Sequence, residues 1–180
     1  RHVSADFNNM TLDELRVVLA RDLPADAAFD GWTATALRAT AERLGVDADV
    51  AGLVFPDGAL QMIDAWFASV DADMLDACPA EGLATLKIRE RITTLVETRL
   101  ALLAPYREAL RRAQAILANP MNAAVATRLG WRAADVMWRA AGDVATDYNH
   151  YTKRAILGSV YAATLLIFVN DDSEEWADTR

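Results

Sequence analysis

The chain has 180 residues, 53% of them hydrophobic, and a formal net charge of −8. A chain of this length and apolar content can bury a core, which excludes an intrinsically disordered protein. The first 60 residues hold ten carboxylates against five Arg, a local charge of −5 that argues against a nucleic-acid binder. The single cysteine, Cys78, excludes an intrachain disulfide and a thiolate zinc site.

The N-terminal sequence predicts three helices. The stretch TLDE, starting at Thr11, is a capping box, and the apolar spacing that follows predicts a helix up to Pro24. Thr33 caps a second helix that ends at Gly45. A short third helix is predicted over residues 49–55, because Pro56 and Gly58 break the pattern. The outline of the stretch ERLGVDADVAGLVF is that of a helix-turn-helix.

This helix-turn-helix lacks the side chains that read DNA. Residues 45–58 contain no Lys or Arg and three Asp. Phosphates are gripped by cations, and base edges are read mainly by donors from the second helix. We therefore interpret the motif as a structural module that does not bind DNA.

The rest of the chain also follows helical periodicity. Asp57 or Gly58 opens a fourth helix, which is interrupted by the stretch DACPAEG. Ser173 is placed to cap a further helix from Glu174, and we expect the natural protein to continue beyond Arg180. No strand pattern is present, so the fold class predicted is all-α. The intervening helices are predicted over residues 81–103, 105–119, 121–129, 131–141 and 147–169.

Residues 155–169 form an uncharged run of 15 residues. A helix that spans a bilayer needs about 20 apolar residues, so this run is too short. We predict a central helix that is buried on most sides. Its small residues permit either close helix contact or room for a ligand, and the sequence does not separate the two. These are Gly158, Ser159, Ala162 and Ala163.

No catalytic constellation is found in the sequence. The two histidines are His2, in an N-terminal stretch expected to fray, and His150. Asp147 and His150 have metal-ligand spacing, but a carboxylate metal site needs matching motifs on other helices. We predict that the protein is not an enzyme and holds no metal.

Two resemblances extend this interpretation. The stretch GWTATALRATAERLGV resembles the second helix and turn of TetR-family proteins, which join a three-helix N-terminal module to a larger helical ligand domain. The stretch MWRAAGDVATDYNHYTKRAILGSVYAATLLIFVNDDSEEWADT resembles the C-terminal signature of the Coq-nine family, which has a TetR-like fold. DGWT at residues 30–33 and VETRLALLAPY at residues 96–106 also fit.

The Coq-nine resemblance implies a function. Members of that family are non-enzymatic accessory proteins of ubiquinone biosynthesis that bind isoprenoid quinone lipids or phospholipids. They form homodimers, attach to membrane surfaces through a C-terminal amphipathic helix and present the precursor to the demethoxyubiquinone hydroxylase. The resemblance implies no cofactor apart from the bound lipid. It places the protein in the cytoplasm on the inner face of the membrane in a bacterium, or in the mitochondrial matrix of a eukaryote.

The same resemblance implies a membrane-attaching helix that is missing from this chain, and a partner surface. On that surface this chain has His150 at a position where many family members have Trp. A ring cluster beside cations is also typical of interfaces, the alternative being ordinary packing of Tyr148, His150 and Tyr151 at a helix start. The residues implied to contact the hydroxylase are Met137, Asn149, His150, Tyr151 and Arg154.

The later helices are rich in bulky apolar residues that are candidates for the lipid pocket, the alternative being plain core. We predict a helix-turn-helix module over residues 1–57 and a lipid-binding and dimerisation domain over residues 58–180. Two other hypotheses stay open. One is a TetR-type regulator that senses an apolar small molecule, and the other is a scaffold with a filled core. The pocket candidates are Trp66, Phe67, Leu95, Leu102, Trp131, Trp138, Tyr161, Leu165 and Phe168.

Overall fold

A computed structural model describes residues 7–143, 148–173 and 176–179, without the side chains of Asn8 and Tyr148. The described residues are helices joined by short turns, so the predicted all-α class is confirmed. The helices are α1 Leu12–Asp30, α2 Ala34–Leu44, α3 Ala48–Val54, α4 Ala59–Ala77, α5 Ala80–Ala84, α6 Ile88–Leu103, α7 Arg107–Leu117, α8 Ala123–Ala140 and α9 Tyr148–Phe168.

Local capping signals place the first three helices. The Thr11 hydroxyl accepts from the amide of Glu14 at 3.2 Å, and Thr33 accepts from the amide of Ala36 at 3.3 Å. Gly45 ends α2 in the left-handed conformation, with φ of 78°. Such caps satisfy amides and carbonyls that have no partner within the helix.

The prediction that the first helix stops at Pro24 is wrong. Helix α1 continues through Pro24 to Asp30. Proline removes one backbone hydrogen bond, but Pro24 is itself buried in a stripe with Leu19, Leu23 and Ala27. Burial of this stripe outweighs the lost bond.

The chain divides into two compact units. The first comprises residues 1–69 and 108–116, and the second comprises residues 70–107 and 117–180. In the first unit, α1 packs against α2 and α3. Most of α7 belongs to this unit and buries Ala109, Leu110 and Ala113. The predicted functional division after residue 57 stays a prediction.

In the second unit, α8 packs against α9 and α6. The helix predicted over residues 81–103 is interrupted at residues 85–87. There the amide of Lys87 donates to the Glu90 carboxylate at 3.0 Å, which begins α6. The Arg91 guanidinium donates to the Leu86 carbonyl between the two helices at 2.8 Å and to the carbonyl of Ala84, the last residue of α5, at 3.3 Å.

The prediction of two helices separated at Gly130 is also wrong, because α8 runs unbroken through it. Gly158 of α9 lies opposite, and a Cβ built on it would stand 3.6 Å from the Gly130 carbonyl oxygen. That distance is ordinary van der Waals contact, so Gly158 lies at the contact of α8 and α9 but an alanine would also fit there. The two roles left open for the small residues of α9 stay open.

Candidate partner surface and buried polar networks

A buried ion network joins α8 to the start of α9. Arg154 is 1% exposed, and its Nε donates to Oδ1 of Asp135 at 2.7 Å. Its Nη1 donates to Oδ2 of Asp143 at 2.9 Å and to the backbone carbonyl of His150 at 3.1 Å. A buried guanidinium needs this degree of pairing, so the network fixes the first turn of α9 against α8.

The charges of this network reinforce one another. Burial by itself lowers the pKa of Arg154, but its hydrogen bonds with Asp135 and Asp143 outweigh burial and the pKa is raised. Burial likewise raises the pKa of Asp135, but the hydrogen bonds from Arg154 and Arg139 outweigh it and the pKa is lowered. The network therefore stays ionised around neutral pH.

An aromatic surface lies next to this network. Tyr151 is 61% exposed, with its ring centroid 6.0 Å from that of Trp131 and 5.0 Å from that of His150. The indole of Trp138 donates to the Lys153 carbonyl at 3.1 Å, and the Lys153 ammonium lies 5.3 Å from the Trp138 ring centroid. We call Trp131, Trp138, His150 and Tyr151 the aromatic patch.

The five residues implied to contact the hydroxylase differ in how far they are exposed to solvent. Met137 is 0% exposed and Arg154 is 1% exposed, so neither presents a surface to a partner. Their burial follows from the packing of α8 on α9. Asn149 and Tyr151 are exposed and His150 is half-buried. The role of all five residues in binding the hydroxylase stays a prediction. His2 and Asp147 lie outside the described residues, as do Glu174 and the side chain of Tyr148.

A second buried network lies deeper in the second unit. Arg99 of α6 is 2% exposed and donates to the carboxylate of Asp71 on α4. Its Nε donates to the Tyr161 hydroxyl on α9 at 3.0 Å. Asp71 also pairs with Arg132 of α8, with 3.4 Å between Nε and Oδ2. Neither Arg99 nor Asp71 was predicted from sequence, because no local pattern marks two residues 28 positions apart as partners.

The nine pocket candidates fall in both units, and their role in lipid binding stays a prediction. Trp66 and Phe67 lie in the first unit, where Trp66 stacks on Trp32 with ring centroids 5.2 Å apart. Trp32, which was not among the candidates, is 3% exposed and donates to the Ala109 carbonyl at 2.9 Å. The other candidates lie in the second unit, half-buried or buried: Leu95, Leu102, Trp131, Trp138, Tyr161, Leu165 and Phe168.

The prediction that helix α9 is buried on most sides is wrong. One side packs through Arg154, Leu157, Tyr161 and Leu165. The opposite side is exposed and uncharged from residue 155 to residue 167. We call this side the α9 outer face. Its large apolar side chains are Ile156, Val160, Leu166 and Ile167, each between 57% and 63% exposed.

The described residues contain no group of three or more His, Cys, Asp or Glu side chains that could hold a metal ion. No helix there is long and apolar enough to cross a membrane.

The fold is that of a TetR-like protein. A crystal structure of a TetR transcriptional regulator from Nitrosomonas europaea superimposes with a TM-score of 0.72. The match has 26% sequence identity and covers 93% of this chain and 92% of the regulator. The predicted TetR-like architecture is therefore confirmed.

Within this class the sequence identifies one family. Residues 123–180 match the COQ9 family model. The chain is 35% identical over 156 residues to the mitochondrial ubiquinone biosynthesis protein COQ9 of Rattus norvegicus and 34% identical to that of Bos taurus. Both alignments cover 83% of this chain. The chain belongs to the COQ9 family, as the resemblance of residues 137–179 predicted.

These relatives are longer proteins. The chain spans about half the length of the curated relatives that it matches, 50% for the rat protein and 49% for the bovine one. The family match includes α8, α9 and the Arg154 network that joins them.

Proposed function

We propose that this protein is a non-enzymatic accessory protein of ubiquinone biosynthesis. It binds an isoprenoid quinone precursor without a further cofactor and presents it to the demethoxyubiquinone hydroxylase. The observation that carries this proposal is the aromatic patch, which lies in the part of the chain that matches the COQ9 family.

The architecture of the patch supports a role in protein recognition. Protein interfaces concentrate their binding energy in a few rigid aromatic and Arg anchors. Tyr151 presents a largely exposed ring, and Arg154, three residues further along α9, is held by two carboxylates. These bonds hold the start of α9 in place before a partner arrives, which lowers the entropic cost of association.

The lipid component of the proposal is supported by the apolar residues of the second unit. An isoprenoid chain needs an elongated apolar site with few polar anchors. Leu95, Leu165 and Phe168 supply apolar surface from α6 and α9. The Tyr161 hydroxyl and Arg99 add a buried polar group among them.

The α9 outer face supports the homodimer. In a chain with a net charge of −8, an exposed side of a helix without a single charge is a marked exception. Contiguous exposed apolar surface marks interaction sites in soluble proteins. We assign this face to a second copy of the chain, because the same uncharged surface on both copies can pair with itself across a two-fold axis. Attachment to a membrane surface is likewise part of the proposal.

The lipid proposal is tested by organic extraction of the purified protein followed by mass spectrometry. We expect a bound quinone, quinone precursor or phospholipid, and uptake of ubiquinone from detergent by protein that has been stripped of lipid. Denatured protein taken through the same extraction is the control. Absence of lipid together with absence of uptake would contradict the proposal.

A TetR-type regulator is the second candidate, since the N. europaea structure superimposes on this chain. It requires salt-sensitive binding to a palindromic DNA duplex. Asp47 and Asp49 on the helix that would read DNA repel phosphates, and residues 45–58 hold no cation. Retention of a duplex at low salt and its release at high salt would favour the regulator over the accessory protein.

A further inference from the structure

The first unit contains a groove beside the degenerate helix-turn-helix. It encloses about 360 Å³ between the N-terminal segment, the start of α1 and the turn into α3. Leu15 and Val46 are buried and form its floor, while Leu12 at its edge is 45% exposed. The apolar lining is Phe7, Met10, Leu12, Leu15, Val46 and Val50.

The edge of the groove formed by α3 is negatively charged. Asp47 lines the groove, and its Oδ1 accepts from the amides of Asp49 and Val50 at 2.8 and 3.2 Å. Among the described residues, no donor reaches the second oxygen of Asp47. Asp49 is also exposed, and residues 45–58 supply no cation.

Among the described residues, no ion pair joins Asp47 or Asp49 to a cation, and Arg16, the first cation of α1, is engaged elsewhere. Arg16 lies 3.9 Å from Asp13 and donates to the Val54 carbonyl at 3.2 Å. Its guanidinium is thus engaged by groups of its own unit. The groove therefore offers a partner apolar contact on its floor and uncompensated carboxylates at its edge.

We propose that this groove binds a basic amphipathic helix of a partner protein. A helix with apolar side chains at i, i+3 or i+4, and i+7 presents them as one stripe, which suits an apolar groove. Lys or Arg beside that stripe would meet Asp47 and Asp49. Opposite charges across an interface speed association and select the partner, whereas like charges exclude DNA. The proposal does not depend on the lipid or on the hydroxylase.

The test uses a fluorescent synthetic peptide of about 15 residues with Leu at helical spacing and Lys on both flanks. Affinity is measured by anisotropy, and the site by amide chemical shifts of the isotope-labelled protein. We expect saturable binding that weakens with salt, with shifts concentrated at Leu15, Val46 and Val50. A peptide of the same composition in scrambled order is the control for charge alone.

The decisive variant is Asp47→Asn with Asp49→Asn. Asn at position 47 still caps α3, so the fold is kept while two charges are removed. We expect about tenfold weaker binding at low salt, since two exposed ion pairs are lost. The matched control is Asp30→Asn with Asp57→Asn, which removes the same charge from exposed positions of the same unit and should change affinity less than about twofold.

A second variant, Val50→Arg, places a cation in the lining and should abolish binding while circular dichroism stays unchanged. Equal binding of the scrambled peptide would overturn the proposal. The proposal would also be overturned if the two Asn double variants lost the same peptide affinity, or if neither peptide bound measurably. The same holds if the amide chemical-shift changes were confined to the second unit.

Discussion

Arg154 on α9 is buried and donates to Asp135 on α8 at 2.7 Å, whereas Tyr151, three positions earlier on α9, is 61% exposed. With Asp143 as a second acceptor, the guanidinium ties the start of α9 to α8. The start of α9 thus combines a buried, paired cation with an exposed aromatic ring, and the two can be tested separately, the first by folding and the second by binding.

Replacement of Arg154 by Met should destabilise the protein strongly. The substitution leaves Asp135 and Asp143 without their buried cation, and breaking a buried pair costs about 3–5 kcal/mol in the free energy of unfolding. Urea denaturation monitored by circular dichroism measures this loss in the free energy of unfolding. The control is Arg139→Ala, which removes an exposed ion pair to the same Asp135 and should cost at most about 1 kcal/mol. Similar losses in the two variants would show that burial of Arg154 carries no special stability.

Tyr151→Ala should weaken hydroxylase binding and leave folding intact. Truncation of an aromatic residue that acts as an interface hot spot costs about 2 kcal/mol of binding energy, which corresponds to about thirtyfold in Kd. Surface plasmon resonance with the immobilised hydroxylase measures the affinity, and mass spectrometry measures the lipid content, which should not change. Leu75→Ala, an exposed apolar residue elsewhere in the same unit, is the control. Loss of affinity and lipid together would point to misfolding instead.

A charge placed on the α9 outer face should dissociate the homodimer. Val160 is 57% exposed, so Val160→Glu is accommodated in the monomer but buries a carboxylate in the dimer. Sedimentation velocity should show a shift from dimer to monomer at micromolar concentration. Val17→Glu, at a position of α1 that is 48% exposed, is the matched control and should leave the dimer intact. A dimer that survives Val160→Glu would mean that the outer face has another occupant.

Parts of this structure were accessible from the sequence because their causes are local. Thr33 and Gly45 bound α2 through contacts with residues no more than four positions away, and both were predicted. Pro24 and Gly130 were misjudged because each is a local helix breaker that tertiary packing overrides. The family resemblance singled out Arg154, yet its burial depends on how α8 meets α9.

The candidate site also contains residues that could be identified from the sequence and residues that only the folded structure reveals. The family resemblance indicated Tyr151 as an interface residue, and it is exposed. Asp71 and Arg99 form a buried pair that only the assembled helices bring together, so periodicity could not reveal it. The α9 outer face was missed for a related reason. An uncharged helix has the same sequence pattern whether its second side meets its own chain or another.

Acidification should loosen the C-terminal turn only at low pH. Hydrogen bonds from Ser173 and then Thr179 lower the pKa of Asp171 to about 2, against about 3.9 in an unfolded chain. Because the folded pKa is the lower one, the stabilisation is complete above about pH 4 and is lost as the pH falls through about 2. Trp176 packs edge-on against Phe168 with ring centroids 5.7 Å apart and reports on this turn.

The measurement follows the Trp176 indole resonance by NMR between neutral pH and pH 2. We expect little change down to about pH 4 and broadening or a shift as the pH approaches 2. Asp171→Ala should produce the low-pH spectrum already at neutral pH, because it removes the acceptor that holds Ser173 and Thr179. Asp172→Ala, at a neighbouring carboxylate, is the control and should leave the transition in place. A transition centred near pH 4 in the unsubstituted protein would show that these hydrogen bonds do not hold Asp171 in its ionised form.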